Sequence, residues 1–378
     1  MGFGSKPYVK SYTRGWVLMK KILLVTLQDA NIGNRLQNYA LQTVVEDMGY
    51  EVFNPVYSLD RVSVKTVKIA LKCLLYRFGL KKYAKVALNH KRKRAFQELD
   101  SKYIHNKINI GQFDTNNIDL SEFNYAITGS DQVWHKWTDS PKELPYFYLQ
   151  FIEENKRISY APSFGFVNVP QIDIETHISG INGIYSISCR EDSGAEIVRK
   201  LTGRVAKVVS DPTILLSKNE WKAAERKPGY NVPSRFILIY FLGDISKQYW
   251  NHIKTICRDD DAVPLRIFSV DDPKHYCTTP DEFIWLVENA TCICTDSFHA
   301  CVFSIIFEKK FVVYQRKESG MEKMFDRIEC LLKDFGLTSC IWNNRTVNSE
   351  IDYEKVALVL KEKKEEGSDF LKLALQIK

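Results

Sequence analysis

The chain has 378 residues, 45% hydrophobic and 26% charged, enough for two or three domains of ordinary globular composition. No apolar run reaches the ~20 residues of a membrane span, and the odd, scattered set of nine cysteines excludes a disulfide framework and suits a reducing cytoplasm. The net charge of +7 has a single source: between Arg61 and Arg94 there are twelve Lys or Arg and no Asp or Glu, while the remainder has 41 basic against 46 acidic residues.

Residues 1–18 show no signal-peptide pattern and read as a disordered extension ahead of Met19. Lys21–Leu27 is an apolar strand, followed by a loop, a helix that Gly49 stops near Met48, and a strand over Glu51–Tyr57. That is the opening of a βαβ unit. The loop has one glycine, Gly33, and so lacks the dinucleotide fingerprint. Asn31, Asn34, Arg35 and Asn38 stand where free N–H groups and the helix dipole favour an anion.

In the basic segment Val64, Val67, Leu71, Leu74 and Phe78 recur at helical spacing with Lys65, Lys68 and Lys72 between them, a cationic amphipathic helix. A second, more charged helix is predicted over Tyr83–Leu99. The pair fits a packed hairpin with a solvated face, or contact of residues 61–94 with anionic membrane lipid. No nucleic-acid partner is expected, since no aromatic strand platform accompanies the charge.

Phe123–Thr128 is a buried strand that stops at Gly129-Ser130 and at once presents Asp131 and Gln132. Open parallel sheets bind ligands just outside such carboxyl ends. Gly129 allows close approach to the backbone, and Ser130, Asp131 and Gln132 offer hydrogen bonds. The same residues also suit a plain strand-to-helix turn capped by Ser130 or Asp131. Tyr146–Ile152 and Arg157–Ala161 are further predicted strands, and the polar stretch Val167–Ile181 reads as a bridge between halves.

Beyond it, predicted strands at Ile184–Cys189, Val205–Val209, Phe236–Leu242, Pro264–Val270, Thr291–Thr295 and Phe311–Tyr314 alternate with helices. Two such sets predict an α/β protein of two Rossmann-like parallel-sheet domains facing a cleft. The first covers 19–175 with a basic helical insertion at 61–100, the second 183–345, and C-terminal helices fill 346–378.

Two groups suit chemistry in the second half. Arg190 follows a strand and offers a planar fork for phosphate or carboxylate, or pairs with its neighbours Glu191 and Asp192. His299 sits in the first turn of a helix beside Asp296 and Ser297, where an imidazole suits acid–base work. Asp296 reads as that helix's cap. Nothing in the pattern calls for a metal or a cofactor.

Gly33–Gln42, Thr128–Trp134, Ser188–Gly194, Ser210-Asp211-Pro212 and Thr295–Ala300, in that order, resemble the polysaccharide pyruvyl transferase family over Lys20 to Leu337. The resemblance implies a fold like that of the B-type glycosyltransferases. It also implies transfer of pyruvate from phosphoenolpyruvate onto a sugar as a cyclic ketal, with an acceptor linked to lipid or nucleotide. It casts Arg190 as a donor-binding residue, His299 as a group near the reacting centre and Asp131 as the base. Gly33, Asn34, Arg35, Gly129, Ser130, Gln132, Glu191 and Ser297 would bind substrate. Where the family has Arg-Leu-His this chain has Ser297-Phe298-His299, so one anion-binding arginine is absent from its place. Arg35, Lys200 and Arg316 are candidates to replace it. A sugar-nucleotide glycosyltransferase, or a non-catalytic sugar- or lipid-binding relative, would share this architecture. The setting implied is the cytoplasm, at the inner face of the cell membrane.

Overall fold

The computed structural model describes residues 19–27, 31–57, 64–166, 168–316, 322–343 and 350–377, so the extension expected at 1–18 lies outside the described residues. β1 (Lys21–Val25) is buried at all positions but the first, as a strand covered on both faces must be. Asn31 caps α1 (Ile32–Asp47), its side-chain oxygen accepting from the Gly33 N–H at 2.9 Å, and β2 (Glu51–Tyr57) runs parallel to β1. The basic segment forms α2 (Val64–Arg77) and α3 (Ala84–Tyr103). β3 (Lys107–Ile110) then joins β2, and β4 (Tyr125–Thr128) pairs with the other side of β1.

The strand expected over Tyr146–Ile152 does not form. The chain there holds the end of a short helix, α4 (Glu143–Phe147), followed by turns. Tyr146, Phe147, Tyr148 and Leu149 are all buried, but they pack into the core from a short helix and its following turns. The buried Glu143 carboxylate accepts the N–H groups of Trp137 at 3.1 Å and Thr138 at 2.7 Å, and Leu149 turns the chain with a φ of 57°.

β5 (Arg157–Ser159) pairs with β4. The stretch read as a bridge between halves instead contains α5 (Ile174–Asn182), which packs on the first sheet through Ile181. Next come β6 (Ser188–Cys189), α6 (Asp192–Thr202) and β7 (Lys207–Val208). The sequence places these in the second domain, but they continue the first. Ile158 bridges in parallel to Ser186. Hydroxyls stitch the short strands together: Ser188 Oγ donates to the Ser159 carbonyl at 2.6 Å, and Ser159 Oγ to the Ser188 carbonyl at 3.1 Å. Cys189, Ile197 and Val198 share a core with Trp134 and Phe164. The five-stranded sheet β3-β2-β1-β4-β5 is thus joined at its β5 edge, through the single parallel bridge of Ile158 to Ser186 and the Ser159 and Ser188 hydroxyls, to the parallel pair β6-β7.

The second unit contains α7 (Lys218–Ala224), β8 (Phe236–Tyr240), α8 (Lys247–Asp259), β9 (Val263–Ile267) and α9 (Pro280–Asn289). It is completed by β10 (Cys292–Thr295), α10 (Phe298–Ile306), β11 (Phe311–Val313) and α11 (Glu322–Asp334). Its sheet is parallel in the order β11-β10-β8-β9. Cys292 and Cys294 face one side of it as buried apolar residues. α12 (Tyr353–Ala374) leaves this unit and returns to the first sheet, where Leu371 and Ala374 pack against Ile22 and Leu24. Gly367 allows that close pass, since a side chain there would overlap the Tyr160 hydroxyl. α1 is the joint between the units: Ile32, Leu36 and Ala40 share one apolar cluster with Trp221, Phe283 and Phe303. Two parallel α/β units facing each other with a returning C-terminal helix is the B-type glycosyltransferase arrangement.

One buried group gives the first unit a pH dependence. His177 is 1% exposed, its Nδ1 lies 2.7 Å from the Tyr148 hydroxyl, and burial pushes its pKa down to about 4. Between about 6.5 and 4 the unfolded chain binds a proton that the native chain does not, so stability falls with pH across that window, by about 3 kcal/mol in full. Urea unfolding of His177→Asn should show a slope shallower by one proton over this range. An unchanged slope would mean His177 titrates alike in both states.

Candidate active site

The carboxyl ends of four strands of the first sheet converge. β4 does not run into a helix. Asp131 takes a φ of 70°, and its carbonyl accepts the N–H groups of Val133 and Ser163, each at 2.8 Å. This left-handed turn carries the Asp131 carboxylate into the space between the units, where Asn34 Nδ2 donates to it at 3.0 Å. No helix starts before α4, so neither Ser130 nor Asp131 is a cap. Gly129 serves packing rather than a ligand, since a side chain there would press on Thr26 at 3.2 Å.

Arg190, at the end of β6, is enclosed, with its side chain 3% exposed. Its guanidinium reaches Asp211 at 3.1 Å, Glu191 at 3.5 Å and Asp131 at 3.6 Å, and lies 4.5 Å from the Phe298 ring centre. Burial opposes the charge, but the three carboxylates outweigh it and hold the Arg190 pKa above its ordinary value. Ser163 Oγ donates to Glu191 at 2.5 Å, which fixes that carboxylate.

Asp211, at the end of β7, accepts Ser130 Oγ at 2.9 Å, Thr213 N at 3.0 Å and Thr213 Oγ1 at 2.7 Å. Burial alone would raise its pKa, yet the His299 and Arg190 charges and Thr213 hold it well below the usual carboxylate range. Ser130 is fully buried and therefore supports Asp211 rather than meeting solvent.

The second unit supplies His299 and Arg327. His299 Nε2 stands 3.6 Å from Asp211 Oδ2, longer than a hydrogen bond, and its ring lies against Gly33. Arg327 of α11 brings Nη1 to 3.7 Å from Asp131 Oδ1, and burial followed by the Arg190 charge pushes its pKa down to about 10. Among the described residues three buried nitrogens here have no hydrogen-bond partner: Arg190 Nη2, Arg327 Nε and His299 Nε2. Asp131 and Gln132 also line an adjoining cleft of 520 Å³ with Asn34, Phe268, Arg92 and Lys93.

Other sequence candidates have different positions. Arg35 pairs with Asp100 at 3.3 Å in a neighbouring cavity, Lys200 pairs with Glu196 at 3.4 Å on the surface, and Arg316 clamps Asp296 at 2.9 Å. Asp296 is not the cap of α10. Its carboxylate accepts the N–H groups of Leu242 and Gly243, while Ser297 takes the N-cap position. Arg327, missed in the sequence, is the arginine that meets Asp131. The available signal was its place beside Ile328 and one turn before Leu331, on the packed side of α11. Asp211 had only its place after a strand and before Pro212.

Paired guanidinium groups beside a histidine–carboxylate contact, at the carboxyl ends of parallel strands, can hold an anion and move a proton. This is a site of the two-unit α/β transferase class. The chain belongs to the polysaccharide pyruvyl transferase family, whose model matches residues 31–318. No curated protein matches it. Among solved structures it is similar to a UDP-GlcNAc 2-epimerase from Methanocaldococcus jannaschii (12% identity, 91% of this chain and 92% of that one, TM-score 0.48). It is also similar to MnaA from S. aureus with UDP (11%, 91% and 88%, TM-score 0.44) and to MurG from Acinetobacter baumannii (10%, 95% and 95%, TM-score 0.37).

The contact of His299 with Gly33 is testable. An added methyl at Gly33 would overlap the imidazole, whereas at Gly229 nothing lies within 4 Å. Gly33→Ala should cost about 1–3 kcal/mol in urea unfolding, and Gly229→Ala less than about 0.5 kcal/mol. Equal effects would show that the His299 ring has room to move.

Proposed function

We propose that the protein transfers the pyruvyl group of phosphoenolpyruvate to two hydroxyls of one sugar in a surface-polysaccharide precursor. The observation that carries this reading is the set of buried nitrogens of Arg190, Arg327 and His299 that lack partners at the seam between the units. Phosphoenolpyruvate brings a phosphate and a carboxylate, and guanidinium forks match both. Arg327 supplies, from α11, the positive charge absent at Ser297. Asp131 contacts both arginines loosely, at 3.6 and 3.7 Å. The donor replaces it as their counter-ion, and the released carboxylate takes a proton from the acceptor hydroxyl.

In the reaction C3 of the donor gains a proton, C2 bonds to two sugar oxygens, and the bond from C2 to the phosphate oxygen breaks. One hydroxyl proton ends on C3 and the other leaves with inorganic phosphate. His299 delivers the C3 proton, with the Asp211 carboxylate 3.6 Å from its Nε2. Asn34 and Gln132, on the cleft wall, orient the acceptor.

Phosphate release from phosphoenolpyruvate, screened over sugar acceptors, tests this directly. His299→Ala should lower turnover about 10²–10⁴-fold. Arg327→Gln should mainly raise the apparent KM for the donor. Arg190 is the poorer probe, because its removal strands three buried carboxylates. Full turnover by folded His299→Ala would remove His299 from the chemistry. Nucleotide release from a sugar nucleotide, with phosphoenolpyruvate untouched, would replace the reading by glycosyl transfer.

The same reading sets the protein at the cytoplasmic face of an anionic membrane. Val67, Leu71, Leu74 and Phe78 share one side of α2 and its end, and are 56, 55, 48 and 76% exposed, with Lys68 and Lys72 between them. Among the described residues no helix is long and apolar enough to cross a membrane. An apolar stripe flanked by lysines suits lipid headgroups instead, each cation contributing ~1 kcal/mol before screening. The protein should sediment with phosphatidylglycerol vesicles and be released by salt. Leu74→Ser/Phe78→Ser and Lys68→Glu/Lys72→Glu should each weaken this. Wild-type protein that ignores the vesicles would leave α2 and α3 as a helical hairpin with a solvated face.

A further inference from the structure

α3 does more than extend the hairpin: it roofs the cleft. Asn89, Arg92 and Lys93 line the 520 Å³ space together with Asp131. The Asp131 charge is already met by Arg190, Arg327 and Asn34. Arg92 and Lys93 have no such match, since among the described residues neither is in an ion pair and Arg92 Nε is buried without a partner. Arg92 is nevertheless held in place, its guanidinium 4.7 Å from the Phe268 ring centre and 5.3 Å from that of Tyr276. The Tyr276 hydroxyl donates to Asn89 Oδ1 at 2.7 Å, which ties α3 to the second unit. A fixed guanidinium and a lysine without counter-ions, inside a cleft, form a pre-organised anion site. Trp137, 49% exposed, borders both this cleft and the adjoining 200 Å³ cavity, and offers a flat apolar face of the kind a sugar ring covers.

We infer that Arg92, Lys93 and Asn89 bind the phosphate or diphosphate that links the acceptor sugar to its carrier, with the sugar on Trp137. This rests on the reading of the cleft as an acceptor site but not on the identity of the donor, and its test needs no turnover. A nucleoside diphosphate and a lipid diphosphate present the same group to these residues.

Calorimetric titration of the full chain with inorganic pyrophosphate tests the inference. Lys93→Gln, at an exposed position, should weaken binding about tenfold, and Arg92→Gln/Lys93→Gln further. The charge-matched control Lys247→Gln/Lys254→Gln on α8 should bind as the wild type does. Unliganded melting temperatures show whether each variant folds. Absence of pyrophosphate binding, or equal binding by wild type and Lys93→Gln, would overturn the site. So would loss of binding in Arg327→Gln but not in the α3 variants, which would place the anion at the donor arginines. A nucleoside diphosphate sugar and a short isoprenoid diphosphate sugar then distinguish the carriers. Whichever binds more tightly than pyrophosphate, and is weakened by Lys93→Gln as pyrophosphate is, names the carrier. If neither exceeds pyrophosphate, the acceptor assignment falls. Failure of phosphoenolpyruvate turnover would leave these binding results standing.

Discussion

A guanidinium withdrawn from water has to be surrounded by carboxylates, and the enclosure of Arg190 imposes that demand on half the fold. Desolvating the ion costs several kcal/mol unless partners arrive in good geometry. Those partners come from the ends of β4, β6 and β7, so the β6-β7 pair must lie against the β5 edge of the larger sheet with its strands parallel to β4. The hydroxyl stitching of Ser159 and Ser188 secures strands too short for a full ladder of their own. Asp211 in turn carries the demand across the seam to His299, so the charge cluster and the contact between the units are one structure.

The cluster is over-supplied with donors. Asp131 stands between two guanidinium groups at distances longer than hydrogen bonds, and Arg327 is held below its ordinary pKa by burial and by its cationic neighbour. Three carboxylates balance the two guanidinium groups, yet among the described residues Arg190 Nη2 and Arg327 Nε are left without hydrogen bonds. The cations of α3 repeat the pattern on the other wall of the cleft.

How much of this was legible follows from where each signal lies. Strand ends such as Thr128-Gly129-Ser130-Asp131 announce themselves, because a buried run that stops at small and polar residues has few other uses. Membership of β6 and β7 in the first sheet was not legible, since parallel pairing depends on long-range contacts and a strand of two residues has no period of its own. Tyr146–Leu149 misled because a short aromatic run favours strand by propensity, and a short buried helix cannot be told from a buried strand by periodicity alone. Arg327 escaped notice because α11 was read for its apolar stripe, and the arginine that meets Asp131 sits at the stripe's margin. Arg190 and His299 were found by position, but the carboxylate that joins them, Asp211, becomes visible only in three dimensions.

The returning helix α12 has a consequence for biosynthesis. The outer face of the first sheet, with Ile22, Leu24 and Ile127, is covered by Leu371, Ala374 and Leu375 from the far end of the chain. On the ribosome that face is translated early and stays bare until α12 has left the exit tunnel. The N-terminal unit therefore cannot finish folding as a separate domain during synthesis, although its sheet is complete by β7. The wait exposes an apolar surface of the kind chaperones bind, and a chain that stops short of α12 leaves its earliest strands uncovered.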